Sequence, residues 1–533
     1  MKTPSRNFFL KVLYSLTRKE RLILYGAVAV FSISSLTYGG LFYKTKTYAV
    51  PSQGGTYREG IVGQPSFVNP IIPITETDRA ISRLIFSSLE EMAESTKQST
   101  DGKTWNVRLY DNIFWHDGRK VTADDIVFTV DVIHNPDSRS PLRGSFDGVD
   151  VSRVSELEVQ FSLQNPYTFF KEDHLRSLRP IPKHLFVDLP VTNYQLTPYG
   201  LNPIGSGPYK VVSHEKDAGG FIKSFKLKAN EAYFTHSPYI TNFAFKFFRK
   251  DSELISAYNL GQIDGFGLST AEPLKERPII IRHSAHYLSS SRYYAIFINQ
   301  SIAPEDLKKL SVRRALSGAV GRNELVDKVF DGRAIPFFGP TSIAGNVFTS
   351  YDPESIKNLE LDLTVPDEPF LIQTAEEIKV DWEALGAKVN LVKRSLRDIQ
   401  EDVLRNTNYE MILFGNIVKE GNDLLAFWHS NERFYPGLNL ALYQDSDTDS
   451  LLEEYRRTFD VTTRANLLEQ ISSRISADVP AIFLYSPDYV FITTPTLQGV
   501  DDARIINTSD DRFADVSEWF VKSKRTFRKP IAQ

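Results

Sequence analysis

The run from Leu22 to Tyr43, LILYGAVAVFSISSLTYGGLFY, contains no charged residue. About 20 such residues make a helix long enough to cross a bilayer core of ~30 Å. A buried core helix would be the soluble alternative, but Lys2, Arg6, Lys11, Arg18, Lys19 and Arg21 stand just before the run. The positive-inside bias puts that flank in the cytoplasm and everything after Lys44 outside. A cleaved signal peptide competes with this reading. Secretory apolar regions are shorter, roughly 7 to 15 residues, and end at a small-x-small site. Here Lys44-Thr45-Lys46 follows instead. The expectation is an uncleaved single-pass anchor over 22–43, with a basic cytoplasmic tail over 1–21 and a tether over 44–53.

The whole chain has 533 residues, more than one hydrophobic core normally organises, so two or three domains are expected. A net charge of −4 lacks the basic excess of a nucleic-acid binder. Cysteine is absent, which removes disulfides, thiolate metal sites and cysteine nucleophiles together. None of the nine histidines stands in a His-Glu-x-x-His or other metal spacing, and no Gly-x-Ser-x-Gly elbow occurs. A Ser-His-Asp triad assembled from distant positions stays open as an alternative. Neither a metal nor an organic cofactor is expected.

The most explicit local structure lies at Asp101–Val130. Trp105, Val107 and Leu109 alternate with polar neighbours as in a half-buried strand, and Asp117-Gly118 marks a turn. Thr122 and Asp125 form a capping pair before a helix whose Ile126, Val130 and Ile133 share one face. The wording of this unit, carried by Trp105, Leu109, Trp115, His116, Asp117, Gly118, Val121, Thr122, Ala123, Asp125 and Phe128, resembles a signature of the extracytoplasmic solute-binding proteins that serve peptide and nickel ABC importers. Further segments resemble the same family in collinear order. They are the opening Gly54-Gly55 and Gln64–Pro70, Arg179–Leu185, Asn202–Tyr209, Leu260–Asp264 and Val312–Leu316 with Arg322 and Gly332. Gly321 stands where the family usually has an acidic residue. His116 and Asp264 read as structural, and the glycines of 202–209 as turn formers.

The resemblance implies an α/β, two-lobed periplasmic-binding-protein-like (Venus flytrap) fold with an extra subdomain in the first lobe, after one transmembrane helix. The expected boundaries are 54–277 for the first lobe with its subdomain at about 90–200, 278–483 for the second, and 484–520 for the return, which Ala481–Tyr485 would begin. The basic tail 521–533 reads as a solvated end, with contact to anionic lipid as the alternative. The implied protein is a monomer that captures a peptide or other small solute between its lobes and delivers it to an ABC permease. It is not an enzyme and binds no nucleic acid. A receptor module feeding a sensor and a cleft hydrolase are the alternatives.

The ligand is less legible. In peptide-binding relatives a carboxylate in a Gly-Trp…Asp segment receives the peptide α-ammonium. The comparable residues here are Gly415 to Asp423, and Lys419 takes the carboxylate's place. A lysine there would repel an ammonium in a poorly solvated site. Either the ligand lacks a free amino terminus at that point, or Glu420 or Asp423 substitutes. Asn416 belongs to the same segment. Thr75, Glu76, Tyr485 and Ser486 are further candidate cleft residues, each with a cap or packing as its plain alternative.

Overall fold

The computed structural model describes residues 15–341, 351–418 and 423–527. Its first long element is the helix Arg18–Lys46, begun by a Thr17/Glu20 capping box and longer than the uncharged run at both ends. None of its residues is buried against the rest of the protein. A fully apolar helix surface with no protein partner suits a bilayer as its solvent.

Three larger sheets follow. A seven-stranded sheet has the order Ser284–Leu288, Tyr489–Thr493, Gly265–Leu268, Thr56–Val62, Asn242–Phe248, Ile222–Ala229 and Tyr209–Lys216. A six-stranded sheet runs Ala334–Pro336, Ala481–Pro487, Arg292–Ile298, Met411–Ile417, Glu360–Pro366 and Lys388–Arg394. Within it, Glu360–Pro366, the helix Pro369–Ala384 and the parallel partner Lys388–Arg394 form a strand-helix-strand unit. Each sheet organises one lobe. The four-stranded antiparallel sheet Ala93–Gln98, Thr104–Leu109, Glu158–Leu163 and Val149–Ser155 is the additional layer of the first lobe.

The chain passes between the two main sheets at Ser289–Ser291 and at Asp488. Both points fall later than the sequence suggests. Ser284–Leu288 still pairs with Tyr489–Thr493 in the first sheet, and Ala481–Pro487 is a full strand of the second. Apolar runs identify strands but not the sheet that claims them, which pairing partners decide.

The signature unit is built as its residues dictate. Trp105, Val107 and Leu109 face inward, and the Asp125 carboxylate accepts the Thr122 backbone N–H at 2.9 Å. Its other oxygen accepts the Lys183 N–H at 2.9 Å, and Thr129 accepts that of Ile181 at 3.0 Å, so this helix also holds the proline-rich segment. Asp117 meets His184 at 2.7 Å. His116 Nδ1 accepts from the Gly205 N–H at 3.3 Å while Nε2–H donates to the Gly207 carbonyl at 3.0 Å, an arrangement only the neutral ring satisfies. Gly205 is required: a Cβ there would stand 2.0 Å from the Ile85 carbonyl oxygen. The Arg58 guanidinium forks onto Asp264 with two bonds of 2.8 Å, a structural tie.

Deepest in the first lobe, Glu59 meets Arg512 at 2.8 Å and accepts from the Tyr57 hydroxyl at 2.9 Å, with both charged side chains essentially sealed from water. The pair fastens the strand Thr56–Val62 to the end of the chain's return, 453 positions away. Removing one partner leaves a buried charge, so Arg512→Met is expected to lower unfolding stability by about 3–5 kcal/mol, and Glu59→Gln with Arg512→Met by less. Urea denaturation followed by tryptophan fluorescence measures both.

Burial pushes the His116 pKa down to about 4 from the ordinary 6.5. The unfolded chain therefore binds the extra proton first as pH falls. Stability from this group is complete above pH 6.5 and drains away toward about 4. His116→Gln should flatten the denaturation midpoint against pH across that window.

Candidate functional site

Where the crossings meet, both lobes line a cavity of about 750 Å³. Its floor is the crossing itself. Ser486 Oγ lies 2.8 Å from each of the carbonyl oxygens of Ser290 and Arg292 and donates to this pair, tying the outgoing strand to the returning one. Ser291 donates to Asn507 at 2.7 Å, and its N–H to the Ile506 carbonyl at 2.9 Å, which seats the outgoing crossing on the first lobe. The second lobe contributes Ile335, Phe337 and Val418 as an apolar wall.

The first-lobe wall is charged but balanced. Glu90 meets Arg176 at 2.9 Å, Asp511 meets Arg83 at 3.9 Å, and Asp515 is paired with Arg504. Behind Glu91, at 3.6 Å, stands Arg179, whose pKa is lowered to about 10 by burial first and by the neighbouring Arg83 charge second. Arg179 Nη2 is buried with no hydrogen-bond partner among the described residues. Arg83 and Arg179 are thus each matched by an acid, Asp511 and Glu91, and Arg179 lies behind the cavity wall.

The six sequence candidates among the described residues do not converge on one cavity. Ser486 lines this cavity, in the hinge role just given. Lys419 and Glu420 lie outside the described residues, although Val418, immediately before them, is in the cavity wall. Asn416 is buried, its Nδ2 donating to the Tyr293 hydroxyl at 3.5 Å. Asp423 accepts from the Tyr167 hydroxyl at 3.0 Å and meets Arg456 at 3.0 Å, so its charge is already neutralised. Tyr485 is fully buried and shares a 2.7 Å hydrogen bond with Thr374 in the second-lobe core. Thr75 caps the helix Glu76–Ile85 by accepting the Asp78 N–H at 3.0 Å.

Glu76 lines a different crevice, about 520 Å³, that also touches both lobes. Asp251 and Glu272 of the first lobe and Glu368 of the second face it, all with pKa values raised, chiefly by burial. This crevice contains neither crossing serine nor Val418, so the larger cavity is the better candidate for solute.

Sequence reasoning missed Arg83 and valued Arg179 only as part of a motif. Their importance comes from packing against each other and against Asp511, 428 positions from Arg83. No local pattern announces such a group.

The family model for bacterial extracellular solute-binding proteins, family 5 Middle, matches residues 90–432. The oligopeptide-binding protein AppA of Bacillus subtilis is 24% identical over 503 residues, covering 85% of this chain and 90% of that protein. Among solved structures, AppA from Bacillus subtilis in complex with a nonapeptide superposes with a TM-score of 0.69 at 22% identity, covering 88% of this chain and 99% of that one. The ABC transporter substrate-binding protein CtaP from Listeria monocytogenes gives 0.76 at 24% identity with the same coverage.

Proposed function

Because the chain belongs to the bacterial extracellular solute-binding proteins of family 5, we propose that its 750 Å³ cavity captures a short peptide or peptide-like solute for an ABC importer. The carrying observation is that both lobes line one cavity together with Ser289–Ser291 of the outgoing crossing and Ser486 just before the return, with Val418 in its wall. A ligand touching both walls binds the closed arrangement better than the open one and shifts the population toward it. The volume lies within the range of small-ligand sites. AppA's nonapeptide supports a peptide as the ligand class. No catalytic role is assigned, and the delivery partner is a permease in the same membrane.

In this reading Leu22–Tyr43 spans the membrane once, with the amino terminus cytoplasmic and a monomeric binding unit outside. The first lobe runs over 54–288 and resumes at 489, with its subdomain within about 90–200, and the second occupies 292–487. In sequence, Lys419 stands where relatives hold an ammonium-binding carboxylate, while Asp423 is occupied by Arg456. The preferred ligands are therefore blocked or anionic at the amino end.

Two measurements test the reading. Mass spectrometry of whatever native purification of residues 44–533 retains should show peptides or amino-blocked relatives. A lone unrelated compound would refute peptide capture. By calorimetry, the native protein should favour an N-acetylated peptide over its free-amine twin by about tenfold, the size of one charge-assisted contact. Lys419→Asp should reverse that order and Asp423→Asn should not. An unchanged preference in Lys419→Asp would make Lys419 a bystander.

A further inference from the structure

The described part of the basic run after Trp519, to Phe527, is held in a strand, and 44–53 is not a bare tether. Ser523–Phe527 pairs antiparallel with Thr47–Pro51, the strand that continues directly from the membrane helix. The register Thr47↔Phe527 brings the tail back toward the bilayer. Phe527 meets Tyr43, the last residue of the uncharged run, edge-on with ring centroids 6.0 Å apart. Arg525 donates to Thr47 Oγ1 at 2.8 Å and to the Lys44 carbonyl at 3.0 Å. That carbonyl belongs to the last helical turn, whose acceptors lack intrahelical donors. The clasp is continuous with the first lobe, since the Ser52 N–H donates to the Lys522 carbonyl at 2.9 Å and the Gly54 N–H to that of Tyr239 at 2.8 Å.

This gathers Lys44, Lys46, Lys522, Lys524 and Arg525 around the helix exit. Among the described residues no carboxylate lies within ion-pair distance of any of them, and Glu518, nearby in sequence, faces His236 at 3.0 Å. Tyr48 and Phe527 are 47% and 60% exposed. A ribbon of two strands is marginal in water alone, and exposed aromatics beside cations at the end of a span are what a headgroup layer accommodates. At ~3.4 Å per residue, Lys524 stands about 10 Å from Phe527, within roughly one Debye length of that level, whereas Lys522 lies beyond.

We propose that this clasp docks on anionic phospholipid headgroups of the extracytoplasmic leaflet, through Lys44, Lys46, Lys524 and Arg525, and so holds the first lobe at a set height above the membrane. The proposal rests on Leu22–Tyr43 spanning the bilayer. Opposite charge and continuity with the span single out this occupant. Arg525 both organises the clasp and contributes charge.

The absence of cysteine permits a clean probe. Full-length protein carrying Thr526→Cys, labelled with a fluorophore, is placed in vesicles of phosphatidylcholine alone or with about one-third phosphatidylglycerol, each containing headgroup spin-labelled lipid as quencher. One surface cation is worth about fivefold in attraction to an anionic leaflet, so quenching should be at least about twofold stronger in the anionic vesicles. The difference should shrink in K44Q/K46Q/K524Q, which leaves only Arg525 of the docking cations, and vanish in the unaltered clasp at about 1 M salt, where the Debye length falls to about 3 Å. Equal quenching in both vesicles, or a difference that survives both treatments, overturns the headgroup contact. Alkaline extraction of the same vesicles reports the span separately, and release of the protein would overturn the spanning reading and the proposal with it.

Discussion

Everything this molecule does depends on the chain crossing twice between two sheets at one place. The first sheet gives up its strand at Leu288 and recovers the chain at Tyr489, while the second begins at Arg292 and ends at Pro487. Few peptide bonds separate the lobes, and contacts at the crossing are joined by others between the lobes, among them Tyr167 with Asp423 and Arg464 with Thr168. Ser486, held against the carbonyls of Ser290 and Arg292, is the most direct of these. Hinges of this kind absorb motion in a few residues while the packed lobes stay rigid.

The charges around the cavity follow from the same architecture. A closing cleft excludes water, and an unpaired carboxylate or guanidinium would then be costly. The first-lobe wall meets that constraint by pairing Glu90, Asp511 and Asp515 with arginines from elsewhere in the fold. The acid left closest to the lysine-bearing segment, Asp423, is likewise spent on Arg456. What the cavity presents besides these pairs is serines at the crossing and an apolar wall from the second lobe.

At the membrane side, the same economy appears in reverse. The helix Arg18–Lys46 buries nothing against the protein, and among the described residues the cations of the clasp at its exit have no carboxylate within ion-pair distance. Orientation of the binding lobes is thereby tied to the anchor by backbone pairing and not by a loose linker alone. The Glu59–Arg512 pair extends that tie inward, since it holds the returning chain to the first-lobe sheet before Ser523–Phe527 pairs with Thr47–Pro51.

The sequence by itself determined the elements whose causes lie within a few positions. The amino-terminal helix follows from an uncharged run, the strand Thr104–Leu109 from alternation, and the helix Ala123–His134 from the Thr122/Asp125 capping pair. Collinear motifs likewise revealed the two-lobed family fold, and His116 read correctly as structural. Tertiary structure alone decided which sheet claims Ala481–Pro487, that the basic tail pairs with Thr47–Pro51, and that Tyr485 belongs to a core with Thr374. It also decided that Arg83 faces Asp511 and Glu59 faces Arg512. Local hydrogen bonds and side-chain periodicity are written into neighbouring residues. Pairing and charge compensation depend on partners hundreds of positions away, which only the folded chain brings together.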